Sequence, residues 1–388
     1  MRRIWLAGVA AAMVACAVVA AAAARPDAVA TASTSQAACG KTVTIGMLAP
    51  ITGPAASIGG DQLHWAQFFV QQWNANKKNK PKLKLVQGDT QLDPSKASVI
   101  AQQFASNKSM MGVIGPAGSD EVIAAAPILK RAGLAFVTGS ATRVSLTNGS
   151  LRGYFFRVVP NDGVQGPTAA NYMLKKLGVK SGNTVMIVDD QEAYSTGLAD
   201  IAGAALKAKG VKVDRESISQ QATDFSSLVA KAGSAKVVFL PFQLSSQAQL
   251  FAQQLKSQGK TAVVFGSDGT FDSSKFNVSG SYVSFFAPDV TTIKADAAVV
   301  KAFHKKYPGA TSPFGAPNYV VAQAYATAIT NACKDGKISR LELRKDIAET
   351  NLKSTILGAP LRFTRNGDVA GAAFHVFKIV NGKYVTVQ

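Results

Sequence analysis

The sequence predicts an α/β protein built from two similar halves in series, each with a parallel sheet covered by helices. From residue 41 onwards, short apolar segments rich in β-branched residues alternate with segments whose apolar residues recur three or four apart. This alternation is typical of parallel sheets with right-handed crossovers. A stretch with proline and glycine at 154–163 interrupts the alternation, which then starts again. The length of 388 residues suits two domains.

The first half opens with a predicted strand, KTVTIGML, followed by the loop APITGPAASIGG at 49–60 and a helix at 61–74. In that helix, apolar residues such as Leu63 and Ala66 define one face. The remaining elements of this half alternate in the same way: strand 82–89, helix 94–106, strand 110–115, helix 119–133 and strand 134–139.

The second half repeats the pattern with helix 164–178, strand 183–190, helix 195–209, strand 211–218, helix 224–232, strand 235–242, helix 245–258 and strand 261–268. After Tyr282 the chain is predicted to be mostly helical, and the alternation in its last stretch predicts strands. In open parallel sheets, ligands bind at the carboxyl ends of the strands. A cleft between the two sheets is therefore the expected ligand site.

The N-terminus has the pattern of an export signal. Arg2 and Arg3 precede an apolar, alanine-rich run at 4–24, and an Arg-Pro pair ends that run. A membrane anchor is the competing interpretation. We interpret residues 1–24 as a signal peptide and 25–40 as a flexible tail. This places the protein in the periplasm or at the outer face of the cell membrane.

Two cleavage sites are compatible with this signal. The segment MVAC is a weak lipobox, and cleavage there would leave a lipid-modified Cys16 at the membrane surface. Cleavage near residues 22–24 would instead yield a soluble protein with a flexible tail. The sequence leaves both alternatives open.

The formal net charge is +19, and so basic a chain raises the question of nucleic acid. The lysines are scattered, aromatic residues are not interleaved with them, and no nucleic-acid-binding motif is recognisable. We therefore expect no nucleic-acid partner. The basic faces suit an anionic envelope surface instead.

The sequence lacks the motifs of catalysis and cofactor binding. The loop at 49–60 is followed by Asp61 where a P-loop needs lysine, and neither a dinucleotide fingerprint nor a G-x-S-x-G elbow occurs. No C-x-x-C pair occurs, and His64, His304 and His375 are far apart. We expect no enzyme activity, no cofactor and no metal site.

Small hydroxylic residues follow strand ends in two loops of the first half, GPAGSDE and TGSATR. Ser119, Ser140 and Thr142 provide hydroxyl donors there, and backbone amides at a helix N-terminus attract a carboxylate. Asp268 follows a strand of the second half, in FGSDG, and suits an ammonium group. Ordinary helix caps and turns are the alternative interpretation for each loop taken alone.

Eight longer motifs follow one another along some 340 residues: PITGPAASIG, DTQLDPSKA, IGPAGS, GSATRVSLT, FRVVPNDGVQGPTAANYM, DDQEAYSTGL, TDFSSLVAKA and LGAPLRFTRNGD. With them the chain resembles the leucine/isoleucine/valine-binding family, the substrate-binding proteins of branched-chain amino acid ABC transporters. The resemblance implies two Rossmann-like lobes with parallel sheets joined by a three-segment hinge, the type I periplasmic binding protein fold. Lobe 1 would comprise 41–160 and 288–356, and lobe 2 would comprise 161–287 and 357–388.

The resemblance also implies which residues hold the charged ends of a ligand. Ser119 and Thr142 match residues that bind the α-carboxylate, and Ser140 lies in the same turn as Thr142. Asp268 matches an acidic residue, Glu in the leucine binder, that pairs with the α-ammonium. Tyr194 matches an aromatic residue that reaches in from the second lobe.

Other matched positions concern the side chain of the ligand. Ala117 lies on the pocket wall, and Phe314 falls near an aromatic residue that lines the side-chain pocket. Ile58 and Gln243 depart from the leucine binder, which has Trp and Tyr at these places. Arg143, beside the carboxylate-binding turn, would add a positive charge to the pocket. The identity of the ligand side chain stays open.

In function, the resemblance implies an extracytoplasmic solute-binding protein of an ABC importer. It would bind a branched-chain or related small amino acid, or an amide, in the interlobe cleft and deliver it to the permease. A ligand-sensing receptor module of the same fold is the alternative. We expect a monomer whose hinges fall near 159–161, 287–289 and 357–359, where proline and glycine interrupt regular patterns.

Two cysteines lie outside the leader, Cys39 and Cys333, and a pair of cysteines in an exported chain suggests one disulfide. Cys39 precedes the first strand of lobe 1, and Cys333 ends a helix that the family packs on that same lobe. The resemblance therefore implies a disulfide between them.

Overall fold

The computed structural model describes residues 36–39 and 42–388. The predicted leader at 1–24, including Cys16, lies outside the described residues, as does the predicted tail at 25–40 apart from 36–39. Over the described ranges, no helix is both long enough and apolar enough to cross a membrane.

Short strands alternate with helices along most of the chain. The strands are β1 (Gln36–Ala38), β2 (Thr42–Ala49), β3 (Lys82–Asp89), β4 (Met110–Ile114), β5 (Ala135–Thr138), β6 (Phe155–Arg157), β7 (Thr184–Asp189), β8 (Lys212–Ser217), β9 (Val237–Leu240), β10 (Val263–Gly266), β11 (Tyr282–Phe285), β12 (Lys337–Ser339), β13 (Asn351–Leu352), β14 (Leu361–Arg362), β15 (His375–Val380) and β16 (Lys383–Thr386). The helices are α1 (Ala56–Ala75), α2 (Pro94–Ser106), α3 (Ser119–Arg131), α4 (Asp162–Lys176), α5 (Ala193–Lys207), α6 (Ser226–Lys231), α7 (Ser245–Ser257), α8 (Ala297–Lys306), α9 (Ala316–Ala332) and α10 (Arg340–Ala348).

Two sheets organise the fold. The first has the spatial order β3-β2-β4-β5-β6, and every neighbouring pair is parallel. The second has the order β16-β15-β11-β10-β9-β7-β8, with parallel pairing from β11 to β8 and an antiparallel edge of β15 and β16. Strands β4, β5 and β6 are buried along their whole length, as in sheets covered on both faces by helices. The predicted fold class is confirmed.

The chain passes between the two sheets three times. It leaves the first sheet after β6, forms the second from β7 to β11, and then returns to α8, α9 and α10. Helix α9 packs on α1 and against β4 and β5, so the returning segment covers the first sheet. A last passage leads to β15 and β16 at the edge of the second sheet. Each lobe is therefore assembled from two separate parts of the chain.

Aromatic contacts fix the returning helices on the first lobe. The indole of Trp65 in α1 stacks on the ring of Phe303 in α8, with ring centroids 3.7 Å apart. The buried hydroxyl of Tyr325 in α9 lies 2.8 Å from the carbonyl oxygen of Val113 and 2.9 Å from that of Ala135. Helix α9 is thus hydrogen-bonded directly to strands β4 and β5.

Some elements differ from the sequence prediction. The segment 154–163, predicted as a break, contains strand β6, and the region after Tyr282, predicted as mostly helical, begins with strand β11. Helix α1 starts inside the predicted loop at 49–60. Gly59 permits this early start, because a Cβ there would lie 2.3 Å from the carbonyl oxygen of Pro50. The glycine lets the first turn of α1 pack against the end of β2.

The N-terminal segment is tied to the first lobe. Strand β1 pairs antiparallel with β12, a three-residue pairing that the sequence analysis did not predict. A disulfide joins Cys39 to Cys333, with their Cα atoms 5.7 Å apart and 294 residues of separation. On the chain-entropy account, closing a loop of this length stabilises the fold by roughly 5–6 kcal/mol.

Candidate functional site

A pocket lies between the carboxyl ends of the two sheets, and we call it the cleft pocket. It is lined by Ile58, Leu92, Ala117, Gly118, Ser119, Ser140, Tyr194, Gln243, Asp268, Gly269 and Phe314. Its volume is about 30 Å³, counted as the space in which the centre of a water molecule fits. Among the predicted ligand-binding residues, all except Thr142 line this pocket. Residues far apart in sequence are thus brought to one small space.

Ser119 forms part of the first-lobe wall at the N-terminus of α3. Its Oγ accepts a hydrogen bond of 3.2 Å from the amide of Arg143. The side chain of Glu121 caps the same turn by accepting a bond of 2.6 Å from the amide of Gly118. Because Ser119 accepts in this bond, its hydroxyl hydrogen remains available to a ligand, beside the positive end of a helix.

The hydroxyl of Ser140 is hydrogen-bonded to other groups of the first lobe. Its hydroxyl donates to the carbonyl of Ala117 at 2.8 Å and accepts from Nε2 of Gln62 at 2.8 Å. The hydroxyl oxygen of Thr138 accepts from the amides of Ser140 and Ala141. Ser140 lines the pocket as predicted, but its hydroxyl hydrogen is already used. It holds the shape of the wall more than it offers a donor.

Thr142 and Arg143 are not among the residues that line the pocket. Thr142 is buried, and the amide of Asp162 donates to its carbonyl at 2.9 Å. Arg143 lies against α5: a Cβ on Gly197 would be 2.6 Å from Nη1 of Arg143. Its guanidinium thus lies close to a helix of the second lobe. The expected contribution of its positive charge to the pocket stays a prediction.

A buried arginine, Arg157, is hydrogen-bonded to the turn that contains Thr142. Arg157 ends β6 with no exposed side-chain surface, and its Nε donates to Oδ1 of Asp368 at 2.6 Å. Its Nη1 donates to the carbonyls of Ala141 and Arg143 at 3.1 and 2.9 Å. The charge-assisted bonds fix the turn between β5 and the first hinge region. This role of Arg157 was not predicted from the sequence.

The second-lobe wall carries the charge of the pocket. Asp268 follows β10 and is 3 % exposed. The hydroxyl of Tyr194 donates to its Oδ1 at 2.6 Å. Burial raises the pKa of Asp268 to about 6, although the bond from Tyr194 opposes this rise. At neutral pH the site therefore presents a poorly solvated carboxylate, which a cation would stabilise.

A second carboxylate lies close by but outside the pocket. Asp162 begins α4 and is fully buried, and within the described residues neither of its carboxylate oxygens has a hydrogen-bond partner. Burial, together with the charge of Asp268, raises the pKa of Asp162 to about 8. Of the two carboxyl groups, Asp268 is thus the one that ionises first.

A contact between the lobes closes the rim of the pocket. Asp120, in the first turn of α3, accepts hydrogen bonds from the amides of Ala193 and Tyr194 at 2.6 and 3.3 Å and from Nε2 of Gln243 at 3.3 Å. These amides open α5, whose own N-cap residue, Glu192, makes no capping bond with its side chain. A first-lobe carboxylate therefore caps a second-lobe helix.

The cross-lobe cap by Asp120 and the lining residue Leu92 were not predicted from the sequence. Asp120 has the pattern of an acidic residue that stabilises its own helix N-terminus, so nothing in the sequence points to α5. Leu92 lies in the recognised motif DTQLDPSKA, but its backbone φ of 63° is invisible in a sequence. Among the described residues, no cluster of three or more histidine, cysteine or acidic side chains is arranged to hold a metal ion.

Comparison with known proteins agrees with this architecture. The model of the family described as periplasmic binding protein matches residues 42–383. An amino acid binding protein of Pseudomonas aeruginosa is 29 % identical, over 88 % of this chain and 91 % of its own length. The leucine-specific-binding protein of Salmonella typhimurium is 27 % identical, over 89 % of this chain and 92 % of its own length.

Solved structures share the fold. A leucine binding protein from Thermotoga maritima superposes with a TM-score of 0.80 at 22 % identity, covering 89 % of this chain and 98 % of its own. A branched-chain amino acid transporter substrate binding protein from Streptococcus pneumoniae, solved with isoleucine, gives 0.77 at 23 % identity, covering 89 % and 99 %. With a family match that spans nearly all of the described residues, this chain belongs to the periplasmic binding protein family.

Proposed function

We propose that the chain binds a small amino acid in the cleft pocket and delivers it to the permease of an ABC importer. Membership of the family makes it a solute-binding protein and not an enzyme. The observation that carries the choice of ligand is the pairing of Asp268 on one wall with Ser119 on the other. The names of the relatives, amino acid binding and leucine-specific-binding, support the same class of ligand.

In this proposal each wall binds one charged end of a zwitterion. The ammonium group pairs with Asp268, whose burial makes it poorly solvated without a cation. The carboxylate takes the hydroxyl hydrogen of Ser119 and lies at the N-terminus of α3, where the helix dipole favours an anion. Tyr194 orients Asp268 through its hydrogen bond.

Binding is proposed to close the lobes. We assign 41–160 and 288–356 to lobe 1 and 161–287 and 357–388 to lobe 2, with hinges at 159–161, 287–289 and 357–359. Only the closed form contacts the ligand from both sides, so the ligand shifts the equilibrium towards it. Small-angle scattering should therefore give a smaller radius of gyration at ligand saturation. An unchanged radius would contradict closure.

The leader and the permease complete the proposal. Cleavage after residue 24 would release the folded part on the outer side of the membrane, and cleavage at Cys16 would leave it there on a lipid anchor. In either case the permease recognises the closed form. We propose that the protein acts there as a monomer. Sedimentation of the processed protein at micromolar concentration should give one species with the mass of a single chain.

Mass spectrometry of what co-purifies with the protein tests the choice of ligand. The protein is expressed, purified under native conditions and then denatured to release bound small molecules. We expect an amino acid in stoichiometric amount, and calorimetry with that compound should give 1:1 binding to the stripped and refolded protein. Recovery of a ligand without an amine, such as a simple carboxylic acid, would overturn the proposal.

A further inference from the structure

One edge of the second sheet is rich in lysine. Strands β8, β7, β9 and β10 are neighbours in this sheet and run parallel, so the four segments that lead into them lie at the same edge, opposite the cleft pocket. We call these segments, 175–183, 207–212, 231–236 and 256–262, the basic edge. They contain no acidic residue and ten lysines: Lys175, Lys176, Lys180, Lys207, Lys209, Lys212, Lys231, Lys236, Lys256 and Lys260.

Backbone hydrogen bonds hold the segments of the basic edge side by side. The amide of Lys212 donates to the carbonyl of Asn183 at 2.8 Å, and the amide of Val263 donates to the carbonyl of Lys236 at 3.0 Å. All of the ten lysines are exposed except Lys260, which is half-buried. Lysines from four separate parts of the chain therefore share one solvated surface.

Helix termini account for only part of this charge. Helices α4, α5, α6 and α7 end at the basic edge, and with about −0.5 of an elementary charge at each C-terminus they contribute about two negative charges. The adjoining strand β8 carries Asp214 and Glu216, and the carboxylate of Glu216 lies 2.9 Å from Nζ of Lys231. Against ten lysines, these negative charges leave a clear positive excess.

The corresponding edge of the first sheet also carries lysines, but helix α10 covers part of it. Arg340, the first residue of α10, donates to the carbonyls of Met110 and Ala132 at 2.9 and 2.7 Å. The region 335–349 places acidic residues at this edge, namely Asp335, Glu342, Asp346 and Glu349. The first edge thus mixes both signs of charge, whereas the segments of the basic edge carry lysine alone.

The composition of the basic edge fits an anionic lipid surface. Lysine ammonium groups attract phosphate as point charges on flexible stems, and each lysine close to an anionic membrane strengthens binding roughly fivefold. Nucleic-acid recognition adds arginine contacts to base edges and stacking on aromatic rings. The four segments contain neither arginine nor an aromatic residue, so a membrane is the better match.

We propose that the basic edge binds the surface of an anionic phospholipid membrane. The inference rests on the proposed function for its location, the outer side of the cell membrane, and not on the choice of amino acid. Because the basic edge lies opposite the cleft pocket, the membrane-bound protein keeps the pocket open to its ligand. The contact holds the protein close to the permease without a lipid anchor.

Cosedimentation with vesicles tests the proposal on the processed protein, 25–388, because the apolar leader would itself insert into lipid. Vesicles of equal parts phosphatidylglycerol and phosphatidylcholine should bind the wild type at least tenfold more tightly than pure phosphatidylcholine. In roughly 1 M salt this binding should disappear, since the charges are screened.

Two fourfold variants with the same change in charge locate the contact. Affinity for the anionic vesicles should fall at least tenfold in the variant that combines Lys175→Gln, Lys207→Gln, Lys236→Gln and Lys256→Gln. It should fall less than threefold in the control, which combines exposed positions of the first lobe: Lys77→Gln, Lys78→Gln, Lys80→Gln and Lys108→Gln. Unchanged melting temperatures show that both variants are folded.

Labelling with an amine-reactive reagent locates the contact on the wild type, without any substitution. On anionic vesicles, the lysines of the basic edge should react at least threefold more slowly than in solution, whereas Lys77 and Lys78 should react at the same rate. Absent binding, equal binding to neutral and anionic vesicles, equal losses in the two variants or uniform protection would overturn the inference. So would tighter binding to duplex DNA at the same salt concentration. Calorimetry with amino acids is independent of these outcomes, so the proposed function stands or fails separately.

Discussion

The two walls of the cleft pocket differ in the hydrogen bonding and the charge of their polar groups. On the first lobe, Ser140 and Thr138 are bonded to neighbouring groups of the same lobe, so this wall is neutral and fully formed. On the second lobe, Asp268 is a buried carboxylate whose pKa burial raises to about 6. The first wall supplies shape and the donor groups of Ser119 and the α3 N-terminus, and the second supplies a buried carboxylate that a cation would stabilise. Most of the ligand dependence of closure should therefore originate in the second lobe.

Removing the charged group should give the largest effect. Asp268→Ala should weaken amino acid binding by about 2–5 kcal/mol, or roughly 30-fold or more, because the ammonium group would be buried without a partner. Calorimetry at neutral pH measures this loss. Asp200→Ala, which changes a side chain of the same lobe that is 79 % exposed, should bind like the wild type. Equal affinities for the two variants would contradict the role of Asp268.

The pKa of Asp162 tests whether burial determines which carboxyl groups of this region are ionised. Asp162 keeps its proton up to pH about 8 in the folded state but loses it near pH 4 when unfolded. The folded state thus binds more protons between these values, and stability falls as pH rises from about 4 to 8.

Asp162→Asn should remove this fall. Relative to the wild type, its melting temperature should gain more at pH 8 than at pH 5, by on the order of 5 °C. Thermal unfolding at the two pH values measures the difference, with exposed Asp335→Asn as control. An equal gain at both pH values would mean that Asp162 is ionised in the folded protein.

A variant of Asp120, at the rim of the pocket, tests whether hydrogen bonds between the lobes contribute to closure. Asp120→Ala removes the carboxylate that bonds to the amides of Ala193 and Tyr194. A charge at a helix N-terminus stabilises by about 1–2 kcal/mol when partly buried. Affinity should therefore fall roughly five- to thirtyfold, although Asp120 does not line the pocket.

The control for this change is a carboxylate that bonds only within its own lobe. Asp224 accepts from the amide of Ser226 in α6, so Asp224→Ala should leave affinity unchanged. Titration calorimetry on both variants, with scattering to follow closure, provides the readout. If Asp120→Ala binds and closes like the wild type, the cross-lobe cap contributes nothing to closure.

The smallest effect is expected from pH alone. The ammonium group needs ionised Asp268, so affinity should fall as pH drops through about 6, by roughly tenfold between pH 7 and pH 5. Burial and the charge of Asp120 raise the pKa of Glu192 to about 7. Glu192→Gln is therefore the control, and it should keep the fall. A pH-independent affinity would mean that Asp268 does not pair with the ligand.

The sequence was sufficient to predict the fold class but not all of the pocket. Alternating strands and helices predicted both sheets, because each apolar segment had to be buried. Strands β6 and β11 were missed, since Pro160 and the helices that follow Tyr282 dominated the local pattern. Motif resemblance named most lining residues. Asp120 and Leu92 were missed because a cross-lobe bond and a positive φ depend on the folded arrangement.

One measurement addresses the two-wall account directly. Alanine and leucine are titrated into the wild type, together with the acids that lack the amine, propionate and 4-methylpentanoate, and the amines that lack the carboxylate, ethylamine and 3-methylbutylamine. If Asp268 and Ser119 hold the two ends of one zwitterion, the better amino acid should bind at least a hundredfold more tightly than either of its halves. If the acid without the amine binds as tightly as the amino acid, the charged wall has no part in recognition and the account is contradicted.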